Sequence, residues 1–166
     1  MTIPPDCRPT TADVAAYIKN RTVDDNNNFL GDFTSTTVVT QSEVDRIINQ
    51  AGEMVLSAVR YNPTVPTPFP AYIVPAIKSL IALFSACVVE VTKFSEQIAR
   101  QVSPYPYLKE MFDGMLAQTQ ADLGIMPPAG SGGGGGLSLT DLIASEYGLA
   151  IYSFPLEPTV NWDTAF

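Results

Sequence analysis

The chain has 166 residues with nine basic and seventeen acidic side chains, no histidine, and a formal net charge of −8. That length supports one domain with appendages and a genuine core, while the acidic balance disfavours nucleic-acid binding by a broad basic face and leaves room only for a local patch. The lack of histidine removes Ser-His-Asp and Cys-His machinery and every His-containing metal site.

Met1 to Pro9 carries neither the basic nor the apolar block of a signal peptide. The expectation is a protein made and kept in a cytoplasm, or in a particle assembled there. Cys7, in this Pro-rich leader, reads as an incidental exposed thiol, and Cys87 as a small core residue. Two cysteines are too few for a disulfide scaffold and form no metal motif.

Thr10 and Asp13 form a short capping box ahead of a modest first helix over 12–20, with Val14, Ala15 and Ile18 on one face. Thr22 to Val39 follows as a long polar connection whose large apolar anchors are Phe29, Leu30 and Phe33. Asp24, Asn26 and Asn28 match the first alternate ligands of a calcium loop. Phe29 then stands where glycine is needed and Ser35 where the bidentate Glu is needed. A solvated Asx-rich turn explains the same residues.

Thr40-Gln41-Ser42-Glu43 is a full capping box, and Val44, Ile47, Ile48, Ala51, Val55, Ala58 and Val59 continue at helical spacing. Pro63, Pro66, Pro68 and Pro70 stop any helix between Arg60 and Pro70. The spacing then predicts a long central helix over 70–102. It is apolar all round in its first half and reduced after Thr92 to one stripe, with Glu96 and Arg100 spaced for an ion pair. A membrane span is the rival reading of this stretch. Lys78 and Glu90 oppose it, each adding about 2.5–3.5 kcal/mol inside a bilayer. Glu90, the best placed acid for a perturbed pKa, pairs most simply with Lys93 one turn on.

Ser103-Pro104-Tyr105-Pro106 breaks the chain, and Tyr107 to Leu123 resumes it with Leu108, Met111, Phe112, Met115 and Leu116 on one face and Gly124 as the stop. The fold expected is all-α: a small four-helix core with a long central helix over 1–125. A flexible Pro/Gly-rich tether over 126–136 and an extended docking arm over 137–166 complete it. The glycine run lacks the Lys-Ser/Thr pair of a phosphate loop and reads as linker. In the arm Leu149, Ile151 and Ser153 alternate with Ala150, Tyr152 and Phe154, and Pro155 and Pro158 keep the chain extended toward Trp162 and Phe166. Leu149, Ile151, Tyr152, Phe154, Trp162 and Phe166 are the expected partner-docking residues. No catalytic, metal or cofactor residue is expected.

From Thr11 to Val59 the chain resembles the head-to-tail connector (adaptor) proteins of tailed bacteriophages. The likeness lies in the capped Thr11-Ala12-Asp13-Val14 helix, a polar loop with Phe29-Leu30 and Phe33-Thr34, and Thr40 with Glu43-Val44 opening a helix through Ile47, Ile48 and Ala51. The long apolar helix and the shorter one after a Pro-containing break extend it to about Leu123. The resemblance implies a non-enzymatic virion protein in a homo-oligomeric, usually dodecameric, ring beneath the portal. Such a ring extends the DNA channel, lets DNA pass without specific binding and meets the next neck or tail component. The arm would hold the portal or a neighbouring subunit. A helical DNA-packaging accessory, a small enzyme and a membrane-associated protein are the competing expectations.

Overall fold

Two capping boxes fix where the first helices of the computed structural model begin; it describes residues 2–60 and 69–125. Thr10 accepts from the Asp13 amide, and the Asp13 carboxylate accepts from the Thr10 amide at 2.7 Å, opening α1, Thr11–Ala15. Thr40 and Glu43 repeat the device at the head of α2, Gln41–Ala58. Three further helices follow, α3 (Val74–Lys93), α4 (Ser95–Ala99) and α5 (Tyr105–Asp122), with single 3-10 turns at Pro5–Cys7 and Lys19–Arg21. The all-α reading therefore holds, and the described residues contain no β-strand, only the isolated bridges Val23–Phe29 and Asp24–Thr37.

The helix count and bounds differ from expectation in three places. The first helix stops at Ala15; Ile18, at φ −133° and ψ 48°, leaves helical geometry and swings Lys19–Arg21 into a 3-10 turn. The central helix spans 74–93 rather than 70–102 and breaks at Phe94, at φ −129° and ψ 30°, so the expected four helices become five. No Gly or Pro causes that break. The Phe94 ring lies under the Arg21 guanidinium, 4.0 Å from Cζ to centroid, and this tertiary contact overrides helix propensity. Finally, α5 starts two residues early. Pro106 stands in its first turn, where the missing amide hydrogen would have had no partner anyway.

α3 is the centre, packed against α1, α2, α5 and the leader's 3-10 turn. Every residue from Leu80 to Glu90 is buried, so the all-round burial expected of the first half lies one to two turns later. By length and mean hydropathy (1.9) α3 could cross a membrane, but 67% of that window is buried by the surrounding protein. Phe84 stacks on Phe112 of α5, with centroids 5.2 Å apart and planes at 27°. Each fully buried aliphatic in this slab contributes about 1.5–3 kcal/mol.

The long helices run antiparallel about α3. Lys93, at the α3 C-terminus, bonds Glu43 at the α2 N-terminus, while Gln120 near the α5 C-terminus donates to the Ala58 carbonyl at 3.1 Å. Gly124 closes α5 at φ +67°, its amide bonding the Ala121 carbonyl and the Ile125 amide the Gln120 carbonyl.

The leader is docked rather than loose. Ile3, Cys7 and Pro9 are buried, and a Cβ at Gly52 of α2 would overlap the Ile3 side chain. Cys7 is thus not the exposed thiol expected; burial and the Asp6 charge push its pKa up, whereas Cys87 is the core residue expected. Both cysteines are free. The tether and arm, with Leu149, Ile151, Tyr152, Phe154, Trp162 and Phe166, lie outside the described residues.

Candidate functional site

The most distinctive chemistry gathers where α3 ends. Glu90 is fully buried, yet its partner is not Lys93: Arg21 clamps it from the 3-10 turn, Nε to Oε1 at 2.6 Å and the second guanidinium nitrogen to Oε2 at 2.8 Å. Lys93 faces the other way and pairs with Glu43. Arg21 also donates to Gln97 of α4 at 2.7 Å, and the Ser103 hydroxyl donates to Glu90 Oε2 at 2.6 Å while accepting from the Tyr105 amide. Every polar arm of the pair is therefore occupied, as a buried ion pair requires. The expected Glu96–Arg100 pair is absent among the described residues; α4 buries no side chain and ends in Gln101 at φ +58°, strained for a residue with a Cβ.

This pair joins segments far apart in sequence. Arg21 is the residue before the 22–39 loop, and Ser103 follows Val102 in the α4–α5 connection. One charged contact thus roots both. Arg21 and Ser103 give this carboxylate three hydrogen bonds, and these fix the two backbone segments against the end of α3.

The loop itself is braced along its length. Asp24 Oδ1 accepts from the Asn26 and Asn28 amides at 2.9 and 2.8 Å, and Oδ2 accepts from the Asn28 side chain. These bonds hold the Asp24 carboxyl below its ordinary pKa and make the Asx turn that the sequence allows in place of a calcium loop. Leu30 donates to the Thr22 carbonyl at 2.8 Å and Val38 to Val23 at 3.0 Å; the Thr37 hydroxyl donates to the Thr34 and Val39 carbonyls. Phe33 and Val39 anchor the loop in the core. Phe29 and Leu30, expected as anchors too, stand exposed at 59% and 43%, because the Val23–Phe29 bridge and Gly31, at φ +83°, turn the tip outward.

Other polar features stand apart from this node. A cavity of about 180 Å³ between α1 and α3 is lined by Asp13, Ala16, Tyr17, Lys78, Ser79 and Ala82, with Lys78 bonded to Asp13 at 3.0 Å. Burial raises the Asp13 pKa, but the Thr10 amide and Lys78 outweigh it and leave the carboxyl below its usual value. The Tyr105 hydroxyl is buried with no hydrogen-bond partner among the described residues, and burial with the nearby Cys87 and Asp113 raises its pKa. No cluster of three or more metal-ligating side chains exists among the described residues.

The Arg21–Glu90 node was missed by reading the sequence because its partners are 69 positions apart. The one signal available was a lone Glu inside an apolar helix, which needs a cation from somewhere. Comparisons with family models, with curated proteins and with solved structures found no match for the chain.

Proposed function

We propose that this chain is a head-to-tail connector of a tailed bacteriophage: a non-catalytic virion protein whose all-α bundle assembles as a ring beneath the portal. The ring would carry the DNA channel onward and join the next neck or tail component. The observation that carries the reading is the braced loop between the two capped helices, a rigid scaffold presenting Phe29, Leu30 and Val38 to solvent. Spending so many bonds to hold apolar side chains in water makes physical sense for a protein that binds protein. The bonded state of Glu90 and the net charge of −8 also suit a passive channel that neither processes nor retains DNA. The arm from 137 to 166 is assigned to the portal or a neighbouring subunit.

Trp162 is the chain's single tryptophan and lies in that arm, so its emission reports docking. The expected outcome is cosedimentation with tailless heads of the same phage and a blue shift on binding. A Trp162 already buried in the free chain, with nothing pelleting beside heads, overturns the connector. Salt-sensitive DNA affinity would replace it with the packaging-accessory reading.

A further inference from the structure

Exposed apolar side chains stand on the loop (Phe29, Leu30, Val38) and at the α4–α5 corner (Val102, Tyr107), and among the described residues nothing covers them. The seat of the leader on α2 differs, because it is filled and so displays the chemistry it selects. Asp45, Asn49 and Gly52 follow one another at steps of four and three, which puts them in one stripe along the helix. Ile3 fills the space left by the missing side chain of Gly52, and Arg8 reaches Asn49 and, at 3.4 Å, Asp45. The stripe thus receives an aliphatic side chain at one end and a cation at the other, about 10 Å along the helix. Glycine inside a helix is disfavoured against alanine, and here it makes the notch that Ile3 needs.

The leader is held on this stripe by side chains. Its described backbone bonds, Cys7 to Pro4 and Arg8 to Pro5, close its own 3-10 turn and do not reach the bundle. Ile3 and Cys7 are buried, but Arg8 and Asp45 are 37% and 47% exposed, so their pair holds weakly. Lifting residues 2–9 leaves every helical bond of α2 and α3 in place, so the leader opens as a unit well before the bundle does. Pro4, Pro5 and Pro9 fix φ at three of its positions, and it leaves and returns with much of its shape preset.

We propose that the leader is a displaceable strap over a docking stripe on α2. In its place the stripe takes a segment of another protein that carries an aliphatic side chain and, five residues on, a Lys or Arg, as Ile3 and Arg8 are spaced. The strap keeps the Gly52 notch covered until such a segment arrives. The chain's own arm does not match this chemistry: residues 137–166 hold four acidic side chains and no cation, and Asp45 would repel them. The strap stands whether or not the chain is a connector.

Thiol labelling of the wild-type full chain tests the opening. Cys7 reacts at least about a hundredfold faster than Cys87 with the helical circular dichroism unchanged, because the leader lifts while α3 stays packed. Equal rates at the two thiols overturn the strap. A synthetic peptide of residues 2–9 with Cys7→Ser then probes the stripe, on full-length protein whose own leader is loosened by Ile3→Ser. The peptide shifts the amide resonances of 45–52. A peptide that also carries Ile3→Ser binds about tenfold or more weakly, and one with Arg8→Ala a few-fold more weakly, a difference that shrinks with added salt. Resonances that stay put, or that move equally with and without Ile3 in the peptide, overturn the docking stripe. Loss of the helical signal in the Ile3→Ser protein overturns the strap, since a detachable leader leaves the bundle folded. Protection of Cys7 that deepens with protein concentration would make a second copy's leader the occupant and overturn the partner.

Discussion

Leu80 to Val89 and the Arg21–Glu90 pair beyond them are all buried, yet they are held in place by opposite means. The first is an apolar slab, closed by contacts that are interchangeable among side chains of similar size. The second is a single charged node, whose Arg21, Gln97 and Ser103 cannot be exchanged one at a time. A slab gives stability by area; a node gives position. The difference matters because the loop and the α4–α5 corner, which carry the exposed apolar side chains, hang from the node and not from the slab.

The largest expected effect is in the slab. Phe84→Ala removes the ring stacked on Phe112 and destabilises by about 4 kcal/mol in denaturant unfolding. Close behind it, Glu90→Gln strands a buried guanidinium and destabilises by about 3 kcal/mol, whereas Arg21→Met combined with Glu90→Leu recovers most of that loss. A double variant no more stable than either single would mean that the node is not a pairwise contact. Thr40→Ala removes the α2 cap and lowers stability by about 1 kcal/mol.

Acid titration gives a smaller effect of defined sign. Lys93, with the Thr40 amide, pulls the Glu43 carboxyl from 4.5 down to about 2. The folded state binds this proton less readily than the unfolded chain. Its contribution is therefore complete above the ordinary carboxylate value and lost as pH falls from there toward 2. Glu43→Gln should flatten the stability profile in that window. At the leader, Gly52→Ala gains about 1 kcal/mol of helix propensity but displaces Ile3, leaving net stability within about 1 kcal/mol of wild type. Its readout is thiol labelling: Cys7 becomes reactive while Cys87 stays inert.

These two regions also divide what could be read without coordinates. Helix starts at Thr10 and Thr40, the apolar faces of α2 and α5, and the Gly124 stop follow from residues within a few positions of one another, and all stand as expected. The break at Phe94 and the partner of Glu90 depend on Arg21, which meets the Phe94 ring and a carboxylate 69 positions away, and no local pattern encodes either contact. Lys93 was the nearest cation to Glu90 in sequence, but Glu43 holds it. Phe29 and Leu30 misled for a related reason: an apolar residue in a polar loop reads as an anchor, and only the Asx turn at Asp24 with the left-handed Gly31 shows that the tip faces out. The leader's docking was hidden likewise, because Gly52 gives no sign of the Ile3 side chain it accommodates.

Hydrogen exchange on wild type and on the Arg21→Met/Glu90→Leu variant tests most directly whether the node positions the exposed end independently of the slab. The account predicts faster exchange at the Leu30 and Val38 amides and through 95–103 in the variant, with 44–59, 77–89 and 108–120 protected as in wild type. Uniform loss of protection across all five helices, or no change at the loop, would contradict it.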